Sequence, residues 1–170
     1  MRIPFHKPNM PLDLNSIFTD SIRNGWLTTG SQVNIFEKRL KKYLNAKHVV
    51  AVNSCTAALH LALEAKGFGN GHKFIVPALT FVSTVECGEY TGMEPILVDT
   101  EDEGFLIDLN HLEDIVKKDN SVKAIIPVHY GGEAVDLNYL WGLADKYGLF
   151  VLEDAAHALE TVTNDNIKVG

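Results

Sequence analysis

Three stretches of this sequence carry side chains whose types and placement could do chemistry. The apolar run at residues 49–52 is followed by Asn53-Ser54-Cys55-Thr56 and then by an Ala/Leu-rich segment, so hydroxyls stand where a helix begins. Free backbone N–H groups and the positive end of the helix dipole make such a place an anion seat, and Ser54 and Thr56 add hydroxyl donors suited to a phosphate. The same residues also serve as ordinary N-caps, and the sequence leaves both readings open. Phe81, in Thr80-Phe81-Val82-Ser83-Thr84, opens a second helical segment. It can stack on a planar ring, or it can fill the core as most phenylalanines do. Asp154 ends the run Val151-Leu152-Glu153-Asp154. A carboxylate at the tip of a buried strand needs a partner, which a protonated ring nitrogen would supply; capping a following helix is the alternative. His157 stands three residues on, where a helical turn would bring it round toward Asp154, and a plain structural hydrogen bond is its other reading.

Other polar clusters are weaker candidates. The seven histidines show no H-x-x-x-H pattern and join neither Cys55 nor Cys87 in ligand spacing, so no metal site is expected. Gly67-Phe68-Gly69-Asn70-Gly71 looks like a dinucleotide fingerprint, but it follows a helical segment and precedes a strand, the reverse of the order that motif requires. It reads as a helix C-cap and turn. Asp99, Glu101, Asp102 and Glu103 read as a solvated acidic loop.

Elements must bring these groups together. Short apolar runs rich in β-branched residues at 49–52, 74–76, 96–98, 124–128 and 149–152 predict buried strands. Helical spacing fills the intervals at 56–66, 82–90, 111–117 and 137–147, so the chain is expected to be an α/β protein of βαβ units around a parallel sheet. In such sheets ligands lie beyond the carboxyl ends of the strands, where Ser54, Thr56, Phe81, Asp154 and His157 fall. Two further helices are expected at 13–24 and 32–44, separated by Gly25-Trp26-Leu27-Thr28-Thr29-Gly30. The second carries Val33, Phe36, Leu40 and Leu44 on one face, which predicts packing against a neighbour. No repeat or linker divides the chain, and a length of 170 residues fits one compact body.

Composition excludes several classes. Hydrophobic residues at 46% and charged residues at 22% describe an ordinary globular chain. A formal charge of -7 without an extended basic cluster argues against a nucleic-acid partner. No window approaches the roughly 20 apolar residues of a membrane span, and Met1-Arg2-Ile3-Pro4-Phe5 does not open a signal peptide. With two cysteines, expected to be reduced thiols, these features predict a cytoplasmic protein.

Taken together, the motifs resemble the sugar-nucleotide aminotransferases of the DegT type, a branch of the fold-type-I pyridoxal-phosphate (PLP) enzymes. The resemblance rests on Gly25-Trp26-Leu27-Thr28-Thr29-Gly30, Phe36-Glu37, Asn53-Ser54-Cys55-Thr56-Ala57-Ala58-Leu59, Pro77-Ala78-Leu79-Thr80-Phe81-Val82-Ser83-Thr84, Pro127-Val128-His129-Tyr130-Gly131-Gly132 and Glu153-Asp154-Ala155-Ala156-His157, in the family's order. It implies a three-layer αβα fold with a mainly parallel sheet, of the PLP-transferase large-domain type. It implies that Ser54, Cys55 and Thr56 hold the PLP phosphate, that Phe81 stacks on the pyridine ring, that Asp154 pairs with the ring nitrogen, and that His157 lies beside the cofactor. Thr28 and Thr29 would lie near the substrate. Position 55 is often glycine in the family, so the cysteine here narrows the space for a phosphate while leaving the backbone donors. The implied reaction moves an amino group from an amino acid, typically glutamate, onto a keto-sugar nucleotide in cell-surface polysaccharide or amino-sugar biosynthesis, with the full-length enzyme a homodimer.

The family's Schiff-base lysine lies in a Ser-x-x-Lys stretch that is expected downstream of Gly170, and Lys168 matches only the Lys-x-Gly segment before it. No catalytic residue is therefore expected within the chain. Residues 1–170 are read as a truncated, partial PLP-binding large domain with N-terminal helices at 13–44 and without the C-terminal small domain. Residues 49–52 then lack the neighbouring strand that the family places beside them, which predicts an exposed edge and marginal stability. Two alternatives stay open: a non-catalytic remnant or partner-binding fragment that does not retain PLP, and a PLP sugar dehydratase with histidine in place of the lysine.

Overall fold

The computed structural model describes residues 10, 11 and 13–170; the Met1–Phe5 opening and His6, read above from the sequence, lie outside them. Where the sequence is read as a single body, the chain divides into two compact units, Met1–Ala51 and Val52–Gly170. The first carries α1 (Leu14–Arg23) and α2 (Ser31–Leu44). The half-buried positions of α2 are Val33, Glu37, Leu40 and Leu44, whereas Phe36 is 54% exposed. Glu37 takes the place that the apolar pattern gave to Phe36 because its carboxylate works: Oε1 accepts the backbone N–H of Ala51 at 2.9 Å.

That same bond bears on residues 49–52, which form no strand, contrary to the sequence expectation. A strand exists through its ladder, and no described strand pairs with this run. Val50 is left 78% exposed.

The second unit is built on four parallel strands, β1 (Lys73–Pro77), β2 (Glu94–Val98), β3 (Val122–Ile125) and β4 (Phe150–Val151), in the order β2-β1-β3-β4. Four helices alternate with them: α3 (Cys55–Lys66), α4 (Ser83–Tyr90), α5 (Leu109–Val116) and α6 (Leu137–Tyr147). Strand side chains point alternately to the two faces, and the core divides accordingly. Phe74, Val76, Ala124 and Ile126 pack with Leu59 and Leu63 of α3 and Cys87 of α4. Ile75, Val98 and Ile125 pack with Leu112 and Val116 of α5 and Leu137, Leu140 and Leu143 of α6. The unit is thus a three-layer αβα arrangement, and the central strands β1 and β3 read as near-continuous hydrophobic runs because both faces are covered, whereas the edge strand β2 leaves Leu97 58% exposed.

The chain steps from β1 outward to β2 through α4, then back across to β3 through α5 on the opposite face. Right-handed crossovers require this change of face when the direction of travel reverses, and the reversal opens a crevice at the carboxyl ends of β1 and β3. The ladders of β3 and β4 are shorter than the apolar runs suggest, because Pro127 has no N–H to donate. Pairing resumes beyond it as an isolated parallel bridge between Val128 and Asp154. Two glycines answer to local geometry. Gly67 ends α3 with φ 71, which settles the Gly-rich segment as a helix cap. Gly88 lets α4 close on β1, since a Cβ there would sit 2.3 Å from the ring of Phe74.

Candidate cofactor-binding site

Asp154 lies 5% exposed beyond β4, its backbone fixed by N–H donation to Pro127 O at 2.9 Å and by acceptance from His129 N–H at 3.1 Å. Its carboxylate is surrounded by donors. Oδ2 accepts from the Thr84 hydroxyl at 2.8 Å, while Oδ1 accepts from the Ala156 N–H at 3.2 Å and from the Cys55 thiol at 3.7 Å. A buried carboxylate met by three donors is held as an acceptor, with lone pairs left for one more charged partner. The capping alternative is met only in part: the bond to Ala156 closes a turn, and no helix follows.

Cys55 is the first residue of α3, and its contact brings the N-terminus of that helix against Asp154 on the same edge of the sheet. A helix N-terminus ordinarily lowers a thiol's pKa. Although Cys55 as a residue is exposed, its thiol turns in toward Asp154, and its pKa is pushed up to about 11, first by desolvation, then by the charge of Asp154 and the hydrogen bond to it. Cys87, on the buried face of α4, is pushed up to about 12 by burial and then by the charge of Asp154. Ser54 is the N-cap of α3, its Oγ accepting from Ala57 N–H at 3.1 Å, as the capping reading expected. A hydroxyl that accepts in this way still has its own proton to give outward, so the cap does not exclude an anion contact. Thr56 follows, half-buried, in the first turn of the helix.

Phe81 is 73% exposed, which rules out the core role that its residue type favours. It stands just before α4, its carbonyl accepting from Thr84 N–H at 3.0 Å. His157 is not carried round by a helical turn. Ala158 N–H bonds to Ala155 O at 2.9 Å and Thr161 N–H to Ala158 O at 2.9 Å, so the segment runs through consecutive turns. The imidazole Nδ1 accepts from Gly131 N–H at 3.3 Å and the ring meets Tyr130 edge-on at 5.8 Å, so its contacts are with the loop after β3. Thr28 and Thr29 belong to the first unit, in the turn before α2, where Thr29 O accepts from the indole N–H of Trp26 at 2.9 Å.

Two sets of residues stand in the quoted motifs without a role assigned to them. Thr80 and Thr84 lie within 2.8 Å of each other through their hydroxyls, and Thr84 is fully buried. Their spacing of four across the junction that leads into α4 is the signal that could have found them. His129 is fully buried at the end of β3; its Nδ1 accepts from Val135 N–H at 3.1 Å, so the ring proton is on Nε2 and is donated to Glu153 Oε2 at 3.0 Å. Asp154 is thereby anchored through its own backbone and through its sequence neighbour. Among the described residues, no group of three or more histidine, cysteine or acidic side chains could hold a metal ion.

Comparison with known proteins gives this geometry a context. The chain is 43% identical over 159 residues to the spore coat polysaccharide biosynthesis protein SpsC of Bacillus subtilis, covering 94% of this chain and 40% of that protein. It is 36% identical over 157 residues to the UDP-4-amino-4-deoxy-L-arabinose–oxoglutarate aminotransferase of Shewanella sediminis, covering 92% of this chain and 40% of the relative. The chain therefore spans less than half the length of these curated relatives. Its fold superimposes on NtdA of Bacillus subtilis, solved with bound cofactor PMP, with a TM-score of 0.84 at 31% identity, over 92% of this chain and 35% of that one. The sequence model of one family covers residues 12–170, nearly the whole chain, and it is the same family that the motifs around Cys55, Phe81 and Asp154 resemble: the chain belongs to the DegT/DnrJ/EryC1/StrS aminotransferases.

Proposed function

We propose that this chain provides the PLP-binding portion of a sugar aminotransferase that moves an amino group from an amino acid, glutamate in the simplest case, onto a keto-sugar nucleotide. The observation that carries the reading is the meeting of the α3 N-terminus with a donor-ringed acid, Cys55 Sγ lying 3.7 Å from Asp154 Oδ1. An anion seat and a buried acceptor side by side suit the two polar ends of one phosphorylated pyridine. Ser54 and Thr56 hydroxyls and the free N–H groups of α3 would hold the phosphate. Asp154 would accept a hydrogen bond from the protonated ring nitrogen, and the exposed ring of Phe81 would cover one face of the heterocycle. When bound, the protonated ring draws off the electron pair released as the amino donor loses its α-proton. Asp154 serves that chemistry by keeping the ring proton in place, in a pocket where Thr84 and Ala156 already satisfy part of its charge. His157, fixed by Gly131, would border the ring, and Thr28 and Thr29 would face the sugar. The names of the Bacillus and Shewanella relatives support the sugar substrate, and the second also supports an oxoglutarate-linked donor. We extend the reading to a cytoplasmic homodimer as the working form.

Proton transfer at the donor carbon calls for a lysine. Lys66 lies over the Phe150 ring at 4.7 Å, Lys73 pairs with Asp119 at 2.9 Å, Lys117 and Lys146 pair with Glu113 at 3.3 and 3.0 Å, and Lys123 donates to Asn120 O at 2.8 Å. Each is engaged away from Asp154. The role proposed for these residues is to hold the cofactor and its ring proton. The test is an equilibrium titration of the chain with PLP and, separately, with pyridoxal, which lacks the phosphate, read by ligand absorbance and by shielding of Cys55 from iodoacetamide. The reading expects PLP to bind the more tightly and to shield Cys55. Equal affinities with no shielding would overturn it.

A further inference from the structure

Asp154 and Thr84 are 70 residues apart in the chain, yet the only hydroxyl proton of Thr84 has one destination. The carboxylate accepts it at Oδ2 at 2.8 Å, and since Thr84 cannot donate twice, the 2.8 Å contact between Thr80 and Thr84 must run from Thr80 to Thr84. The order of donation is therefore fixed: Thr80 to Thr84 to Asp154. Thr84 is fully buried and Asp154 nearly so, which places the chain where water does not compete and where hydrogen bonds to a charged acceptor are strongest. Both threonines stand on the segment that follows β1 and opens α4, the segment that also presents Phe81. One short stretch of backbone therefore sets the ring-facing aromatic and the hydroxyl that orients the acid.

We propose that Thr84, backed by Thr80, is a positioning residue that fixes the rotation of the Asp154 carboxylate so that its remaining lone pairs face the ring nitrogen of the bound cofactor. The proposal rests on the cofactor reading above. Without the hydroxyl, Oδ2 loses its neutral donor and the carboxylate is free to turn toward Cys55 and Ala156, which hold Oδ1 alone. The effect should appear only with a ligand that has a ring nitrogen to recognise.

The experiment measures the affinity of the whole chain for PLP and for its carbocyclic analogue, in which the ring nitrogen is replaced by carbon. Wild type, Asp154→Asn, Thr84→Val, Thr84→Ser and Thr80→Val are compared, and the readout is the ratio of the two affinities. Wild type should prefer PLP, and Thr84→Val, which keeps shape and removes the hydroxyl, should cut that preference about tenfold, the size of a hydrogen bond to a charged group. Thr84→Ser should restore it, and Thr80→Val should give a smaller loss in the same direction. If Thr84→Val weakens both ligands alike, or leaves the ratio at the wild-type value, Thr84 serves packing alone and the proposal is overturned while the cofactor reading stands. If wild type and Asp154→Asn both treat the two ligands alike, the assignment of Asp154 fails, and the positioning role fails with it. Should Thr84→Val not fold, Thr80→Val decides: an unchanged ratio counts against the relay.

Discussion

At the scale of single residues, the site is a small set of donors competing for one carboxylate, and its electrostatics can be tested without any ligand. Burial and Asp154 together push the Cys55 thiol up to about 11, so at neutral pH it should react slowly with iodoacetamide, with a rate that climbs until the midpoint near pH 11. Asp154→Asn removes the charge and leaves the desolvation, so the midpoint should move part of the way toward the ordinary value of 9.0. An unchanged midpoint would mean that the two groups do not sense each other. Phe81 offers a second check. Because it is 73% exposed, Phe81→Ala should leave thermal stability nearly unchanged, as surface substitutions do, while weakening PLP severalfold through lost stacking. A large drop in melting temperature would return Phe81 to the core. Asp154, Ser54 and Thr56 could be picked from the sequence as candidates because strand tips and helix starts announce themselves in local pattern. Thr84 could not, since its role depends on the sheet bringing together groups 70 positions apart. The helical turn expected to carry His157 is absent because nothing in the local sequence distinguishes a helical turn after Asp154 from the consecutive turns that form there.

At the scale of elements, the βαβ alternation was plain in the apolar periodicity, and the helix at 137–147 was delimited to the residue. The helix read from position 111 in fact starts at Leu109, because Asp108 caps it through Asn110 and His111 N–H, a signal that lies outside the apolar repeat. Residues 49–52 have strand composition without a strand's partner, and composition cannot specify pairing. Two junctions carry testable weight. Gly88→Ala drives a methyl into Phe74, with the added Cβ 2.3 Å from the ring, and should destabilise the unit by ~1–3 kcal/mol in chemical denaturation. Wild-type stability in that variant would show that α4 can shift off β1 freely. Asp119, held by Ser121 and then by Lys73 at the start of β1, has its carboxyl lowered from 3.8 to about 2. A lowered carboxylate stabilises the fold above its unfolded value and loses that contribution as pH falls through the folded one. The melting-temperature gap between wild type and Asp119→Asn should therefore hold above pH 3.8 and close toward pH 2. A gap independent of pH across that range would contradict the assignment.

At the scale of the whole molecule, membership of the aminotransferase family joins these local facts into one arrangement. The switch in chain direction between β2 and β3 opens the crevice, α3 points its free N–H groups toward that edge, and β4 delivers the acid. The resemblance in six motifs was sufficient to name the family because their order reflects that arrangement, even though each motif alone is also explained by capping or packing. The central claim is that Asp154 faces the ring nitrogen of a PLP whose phosphate sits on α3. The most direct measurement is a pH titration, by nuclear magnetic resonance, of PLP isotope-labelled at the ring nitrogen and bound to the chain. The account predicts that the ring nitrogen keeps its proton to higher pH on the wild-type chain than on Asp154→Asn. The same titration midpoint on both proteins would contradict it.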